Sequence, residues 1–371
     1  MSDHDAAHEA IERLEWSERD QAPSSRARGV SRRAALTGGA AGLTALLLNA
    51  CGGSSSSNAQ GGGAANVFGS QKKFKFTVVN HVTTNPFFVP TKDGAADACK
   101  LLGCTYQWTG SQSSNVNEMV NAINSAISAK VDGIAVSLVD QTAFNDPVKR
   151  ALDAGIPVVA YNADAAGNAR LGYIGQDLFV AGQQMGNRIV ELVGSGDVAL
   201  FIATPGALNI QPRINGAIDA IKKSGKSITS HTVATGAAVP QELSAIQAYW
   251  LSHTNTRGMF AVDGGSTQST GQVMQKYKLA AKGVKAGGFD LLGSTPALLG
   301  QGNLDFTIDQ QPYLQGFLPI LQLFLYKASE TLTGIADVNT GLKFVTQQSI
   351  QPYLTTKSRF EGSSNAVGVS K

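Results

Sequence analysis

DPVKRALDAGIPVVAY, residues 146–161, holds one complete helix and strand. Asp146 and Pro147 read as an N-cap and a first helical residue, since proline's missing N–H is not needed there and its ring pre-sets φ. Val148 to Ala154 continue the helix, Gly155 supplies a left-handed stop, and Ile156 to Tyr161 form the next strand. Upstream, Val116, Met119, Val120, Ile123 and Ile127 recur on one helical face. Downstream the grammar repeats: Ile214, Ile218 and Ile221 before Gly225; Leu243, Ile246 and Trp250 before Gly258 to Val262; Val273 and Tyr277 before Val284 to Phe289. Strands are expected to end near Asn80, Trp108, Leu138, Tyr161 and Ile174, then near Ile202, Val233, Val262, Phe289 and Ile308. Runs such as Ile134-Ala135-Val136 and Val198 to Ile202 are apolar on both faces, as strands covered by helices on two sides must be. Two successive sets of about five strands predict an α/β fold of two doubly wound parallel-sheet lobes. A single (β/α) barrel competes, but ten candidate strands fit its eight poorly.

Composition sets the bounds. The 371 residues are 43% hydrophobic and 15% charged, enough apolar material for two compact domains. A formal net charge of +3 makes no basic field that would suggest nucleic acid. Three cysteines exclude a scaffold built on disulfides, and Cys99 with Cys104 reads either as one disulfide or as two buried thiols.

Residues 1–50 read as an export signal. A polar stretch ends in Arg26, Arg28, Arg32 and Arg33, and Ala34 to Ala50 is apolar, glycine-broken and too short for a spanning helix. The Arg32-Arg33 pair resembles a twin-arginine signal, with Ala35 where that pathway prefers Phe; the general route is the alternative. Leu48-Asn49-Ala50-Cys51 resembles a lipobox, which makes Cys51 the lipidation site; a soluble secreted protein is the other reading. Residues 51–72, rich in Gly and Ser, then form a flexible tether. The protein is thus expected to be exported and lipid-anchored at the membrane, facing the periplasm or exterior.

In an open parallel sheet, ligands bind beyond the carboxyl ends of the strands. After the first strand come His81-Val82-Thr83-Thr84-Asn85-Pro86-Phe87-Phe88; Asn162, Asp263, Asp290 and the Asp309-Gln310 pair follow later ones. Carboxylates accept hydroxyl hydrogens, amides both donate and accept, and aromatic faces cover aliphatic C–H, which together describe a polyhydroxylated ring. The competing account is local: Asp and Asn after strands also cap the next helix.

These residues resemble those of the type I periplasmic binding proteins that serve sugar transporters of the ATP-binding-cassette class, ribose binders above all. The likeness runs from about Lys73 to Pro352 and is carried by Asn85-Pro86-Phe87-Phe88, Lys92-Asp93-Gly94-Ala95, Gly155-Ile156-Pro157-Val158-Val159, Arg213 before Asn215-Gly216, Gly288-Phe289-Asp290 and Thr307 to Pro312. It implies that Asn85 hydrogen-bonds a ligand, that Phe87 and Phe88 form an aromatic wall, and that Asn162, Arg213, Asp263, Asp290 and Gln310 make further contacts. Asn162-Ala163 stands where ribose binders carry Asp-Arg, Asp263 replaces an Asn, Ala237 and Ala238 offer no third aromatic, and His81 replaces a frequent Ser. The expected pocket is therefore more open on one side and takes a monosaccharide or related polyol. The resemblance also implies lobes of 73–176 plus 311–338 and of 177–310 plus 339–352, joined by a three-strand hinge near Gln176, Gln310 and Val338. A flexible tail over 353–371 is expected beyond them. The expected partners are the sugar, an importer permease and a lipid anchor, with the protein monomeric and without nucleic acid; signalling to a membrane receptor is the alternative role.

No enzyme is expected. The chain lacks a Gly-x-Ser-x-Gly elbow, Gly194-Ser195-Gly196 precedes its strand, and Gly264-Gly265-Ser266-Thr267 has no P-loop lysine. Of the histidines, only His4 and His8 have helical pair spacing, within the leader, so neither metal nor cofactor is expected. A transcription regulator would need a helix-turn-helix where the export signal stands.

Overall fold

The computed structural model describes residues 73–355, 357–361 and 369–370. The export signal, the tether and Cys51 lie outside the described residues.

The first half alternates strictly. β1 (Lys75–Asn80) leads through a 3-10 turn (Pro86–Phe88) into α1 (Val89–Leu102), followed by β2 (Thr105–Gly110), α2 (Val116–Ser128), β3 (Gly133–Val136), α3 (Asn145–Asp153), β4 (Val158–Tyr161) and β5 (Gly172–Gly175). The second half repeats it with α4 (Leu178–Val193), β6 (Gly196–Ile202), α5 (Gln211–Lys223), β7 (Ile228–Ala234), α6 (Val239–Ser252), β8 (Gly258–Ala261) and α7 (Gly264–Lys276). Then come β9 (Lys285–Phe289), α8 (Thr295–Gly300), β10 (Phe306–Asp309), α9 (Leu314–Ser329), β11 (Val338–Asn339), β12 (Lys343–Val345) and α10 (Gln351–Thr355).

Two six-stranded sheets result, ordered β11-β5-β4-β3-β1-β2 and β12-β10-β9-β8-β6-β7. Within them every pairing is parallel except β12 on β10. The expected pair of doubly wound sheets is therefore present, with one antiparallel edge added. The central strands β3, β4 and β8 are buried along their whole length, whereas edge strands β2 and β7 alternate or lie open. Successive residues face opposite layers: Val78 packs with Phe76 and Phe324, while Val79 packs with Ile123 and Phe144.

One detail differs from expectation. The helix α3 starts at Asn145, so Asp146 and Pro147 sit inside its first turn. The cause is Asp140, whose carboxylate accepts the N–H groups of Thr142 and Ala143 at 2.9 Å each and starts the turn early. Of the two readings left open for Cys99 and Cys104, the structure shows the second: both are free thiols buried beside the first sheet. Near the end of the described residues, Arg359 pairs with Asp93 and Asp97 of α1, at 3.2 Å in each case, and Phe360 packs edge-on to Tyr313.

The chain passes between the sheets after β5, after β10 and after β11, and side chains tie the three passages together. Gln176 donates to the Gly341 carbonyl at 3.0 Å, and Thr340 donates to the Gln310 carbonyl at 2.8 Å.

Candidate functional site

The carboxyl ends of β1, β4, β6, β8, β9 and β10 face a common cleft of about 90 Å³. All nine residues singled out from the sequence line it: His81, Asn85, Phe87, Phe88, Asn162, Arg213, Asp263, Asp290 and Gln310. They come from both sheets, and the cleft lies at the switch points where strand order reverses, between β1 and β3 and between β6 and β8.

On the first-sheet side, Asn85 caps the 3-10 turn, its Oδ1 accepting the Phe87 N–H at 2.9 Å. That fixes Phe87 and Phe88 edge to face, with ring centroids 4.8 Å apart. Phe88 is core, touching His81 at 5.1 Å between centroids, and Phe87 is the half-buried face. The His81 ring lies between Ser137 Oγ at 3.0 Å and Asn209 at 3.3 Å. Burial lowers its pKa to about 4, so the ring is neutral at physiological pH.

Asn162 and Asp290 both sit at positive φ, 64° and 72°, directly after their strands. Such backbone is sparsely populated for non-glycine residues and collects at functional sites. Asn162 donates to Gln315 at 3.1 Å, while its own Oδ1 has no protein partner. The amide relay continues from Gln315 to Gln310 Oε1 at 3.2 Å, and from Gln310 to Asp290 Oδ1 at 2.7 Å.

The second-sheet side is organised by Arg213, only 2% exposed. Its guanidinium lies 4.0 Å from the Phe289 ring centre and donates to the Val262 carbonyl at 2.9 Å and Gln176 Oε1 at 3.0 Å. Its Nε has no partner. Glycine puts it there: a Cβ at Gly182 of α4 would come within 2.2 Å of the Arg213 carbonyl, so only a bare Cα lets α4 and α5 approach this closely. Burial lowers the Arg213 pKa while Asp290, the next influence, opposes it; burial likewise raises Asp290 to about 6, against the pull of Arg213.

Asp263 caps α7 through Ser266 N–H at 2.9 Å and accepts the Ala203 N–H at 3.0 Å. This occupies the Gly264 to Thr267 turn with the protein's own carboxylate. The cap explanation and the cleft explanation both hold for Asp263.

Glu242 was not legible as a site residue. It lines the cleft from α6, is 3% exposed, and its carboxyl fills the space over Gly265. Burial, reinforced by Asp263, raises it to about 9, and burial raises Asp263 as well. One proton therefore stays on this pair at neutral pH. Asn209 and Gln315 are further additions. In sequence all three look like ordinary helix or loop polar residues, and only packing across the chain brings them here. Among the described residues no group of His, Cys, Asp and Glu is arranged to hold a metal ion, and no helix is long and apolar enough to cross a membrane.

The family described as a periplasmic binding protein domain matches residues 76–330, which include every residue named in the cleft. The xylose/arabinose-binding protein XylF of Sulfolobus acidocaldarius is 52% identical over 308 residues, 79% of this chain and 76% of that protein. An ABC transporter solute-binding protein from Burkholderia graminis C4D1M, solved in complex with D-arabinose, is 28% identical, with a TM-score of 0.71 over 76% of this chain and 98% of that one. A carbohydrate transporter from Acidothermus cellulolyticus 11B, in complex with myo-inositol, is also 28% identical, with a TM-score of 0.67 over 75% and 96% of the two chains. Two parallel sheets facing each other across a polar cleft, with this sequence match, make the chain a member of the type I periplasmic binding protein family, a solute-binding protein and not an enzyme.

Proposed function

We propose that the protein captures a pentose between two closing lobes and presents it to the permease of an ATP-driven importer. The observation that carries this is the convergence of Asn162, Arg213, Asp290 and Gln310 on one small cleft beside the Phe87 ring. Asp290 accepts sugar hydroxyls, Arg213 and Gln310 donate to ring or hydroxyl oxygens, and Phe87 covers a C–H face. Asn162 Oδ1 and Arg213 Nε, unpartnered within the protein, supply one acceptor and one donor for the solute. Neutral His81 and the proton-sharing Glu242–Asp263 pair let the wall offer donors as well as acceptors without a large net charge. The relatives that bind xylose, arabinose and D-arabinose favour a five-carbon sugar.

The lobes are residues 73–176 with 311–338 and residues 177–310 with 339–352, hinged at the three passages near Gln176, Gln310 and Val338. Closure and binding form one equilibrium, because Gln310 and Gln176 belong to the hinge and also touch Asp290 and Arg213. In the cell the monomer is exported, acylated at Cys51 and held by the 51–72 tether. Calorimetric titration with D-xylose, L-arabinose, D-ribose, D-glucose and myo-inositol tests the solute: a one-to-one complex with a pentose supports the reading, and silence toward all five removes it. Labelled fatty acid incorporated by the wild type but not by Cys51→Ala tests the anchor.

A further inference from the structure

A second compartment adjoins the cleft. It has a volume of about 1020 Å³, an order larger than the cleft, and shares Phe87, Asp290 and Leu292 with it as a common wall. From the first-sheet side it is lined by Pro86 and Tyr313, and from the second by Leu291, Lys343 and Tyr353. Phe360 completes the lining, held in place because its neighbour Arg359 is pinned to Asp93 and Asp97 at 3.2 Å. The Phe360 ring meets Tyr313 edge-on at 4.7 Å, and Tyr313 is itself tied to Asp97 at 2.9 Å. Tyr353 sits between Asp309, 3.4 Å from its hydroxyl, and Lys343, whose ammonium lies 5.5 Å from its ring centre.

This lining repeats the chemistry of the cleft. Aromatic rings are spaced around the chamber, and a carboxylate, a lysine and Gln348 border them. Aromatic faces bordered by hydrogen-bonding groups suit a pyranose or furanose ring, one C–H face per aromatic and hydroxyls at the rim. The volume lies at the top of the range for pockets that hold whole small-molecule ligands, beyond what one more monosaccharide needs. The shared lining of Phe87, Asp290 and Leu292 places the chamber immediately beside the inner site.

We infer that this chamber is a second saccharide site, so that the protein takes short pentose oligosaccharides with the terminal unit in the cleft and the following units against Tyr313, Tyr353 and Phe360. The inference rests on the cleft being a pentose site. The test is calorimetry on the full chain with D-xylose, L-arabinose and a disaccharide of each. The disaccharide of the preferred pentose is expected to bind about tenfold tighter than the single sugar, the gain of one extra ring on an aromatic face. Tyr353→Ala and Phe360→Ala should each erase most of that gain and leave the monosaccharide dissociation constant unchanged; Phe360 is 38% exposed, so its truncation leaves the fold intact. A disaccharide that binds no tighter than its monosaccharide overturns the inference while the pentose site stands. So does an equal loss for both ligands in the two variants. Failure of every sugar to bind overturns both readings together.

Discussion

Asp290→Asn should make the empty protein more stable at neutral pH while weakening its hold on sugar. Asp290 is 7% exposed, and burial, only partly offset by Arg213, moves its pKa from 3.8 to about 6. An acid whose folded pKa is raised binds its proton more tightly in the native state. As pH rises from about 4 toward 7 the unfolded chain therefore releases the proton first, and the native state loses stability. Roughly two pH units correspond to about 3 kcal/mol, fully lost once pH exceeds the folded value. Asparagine does not titrate, so chemical denaturation of variant and wild type should give a stability difference that moves in the variant's favour by about 3 kcal/mol between pH 4 and pH 7.5. Calorimetry at pH 7.5 should show pentose affinity weakened by about 2 to 4 kcal/mol, because hydroxyls would face a group that no longer accepts as a charged carboxylate. A stability difference that stays flat with pH, together with an unchanged dissociation constant, would refute the placement of Asp290 as a desolvated ligand carboxylate.

Three further outcomes follow from the same geometry. His81, whose pKa burial lowers from 6.5 to about 4, is neutral in the native state, so stability should fall by roughly 3 kcal/mol as pH drops through that window; His81→Gln should lack this loss in an acid denaturation series. Glu242→Gln mimics the protonated acid and should bind pentose close to wild type at pH 7, whereas Glu242→Ala should bind weakly; the wild type alone should lose stability as pH rises from 4.5 toward 9, followed by thermal melting. Gly182→Val would place a side chain within 2.2 Å of the Arg213 carbonyl, costing about 1–3 kcal/mol of stability and lowering affinity by displacing Arg213, which melting and titration together would register.

The strands were legible because their burial is two-sided. Gly133–Val136, Val158–Tyr161 and Gly258–Ala261 are apolar and buried at every position. The β11 and β12 strands were not legible: Val338–Asn339 and Lys343–Val345 are held by backbone pairing to β5 and β10, and runs this short carry no period. Site residues at strand ends were readable from position alone, as with Asn162 and Asp290. Glu242 and Gln315 were not, since each lies in the first turns of a helix where acidic and amide side chains are ordinary, and only helix packing turns them inward. The start of α3 was misread because the turn at Asp140 lies before the proline signal.

The most direct test of the central claim is a crystal structure of the protein grown with saturating L-arabinose or D-xylose. The account predicts a sugar ring between the two sheets, one face on Phe87 and hydroxyls within hydrogen-bonding reach of Asp290, Arg213 and Asn162. Clear sugar density elsewhere, with this cleft holding only water, would contradict it.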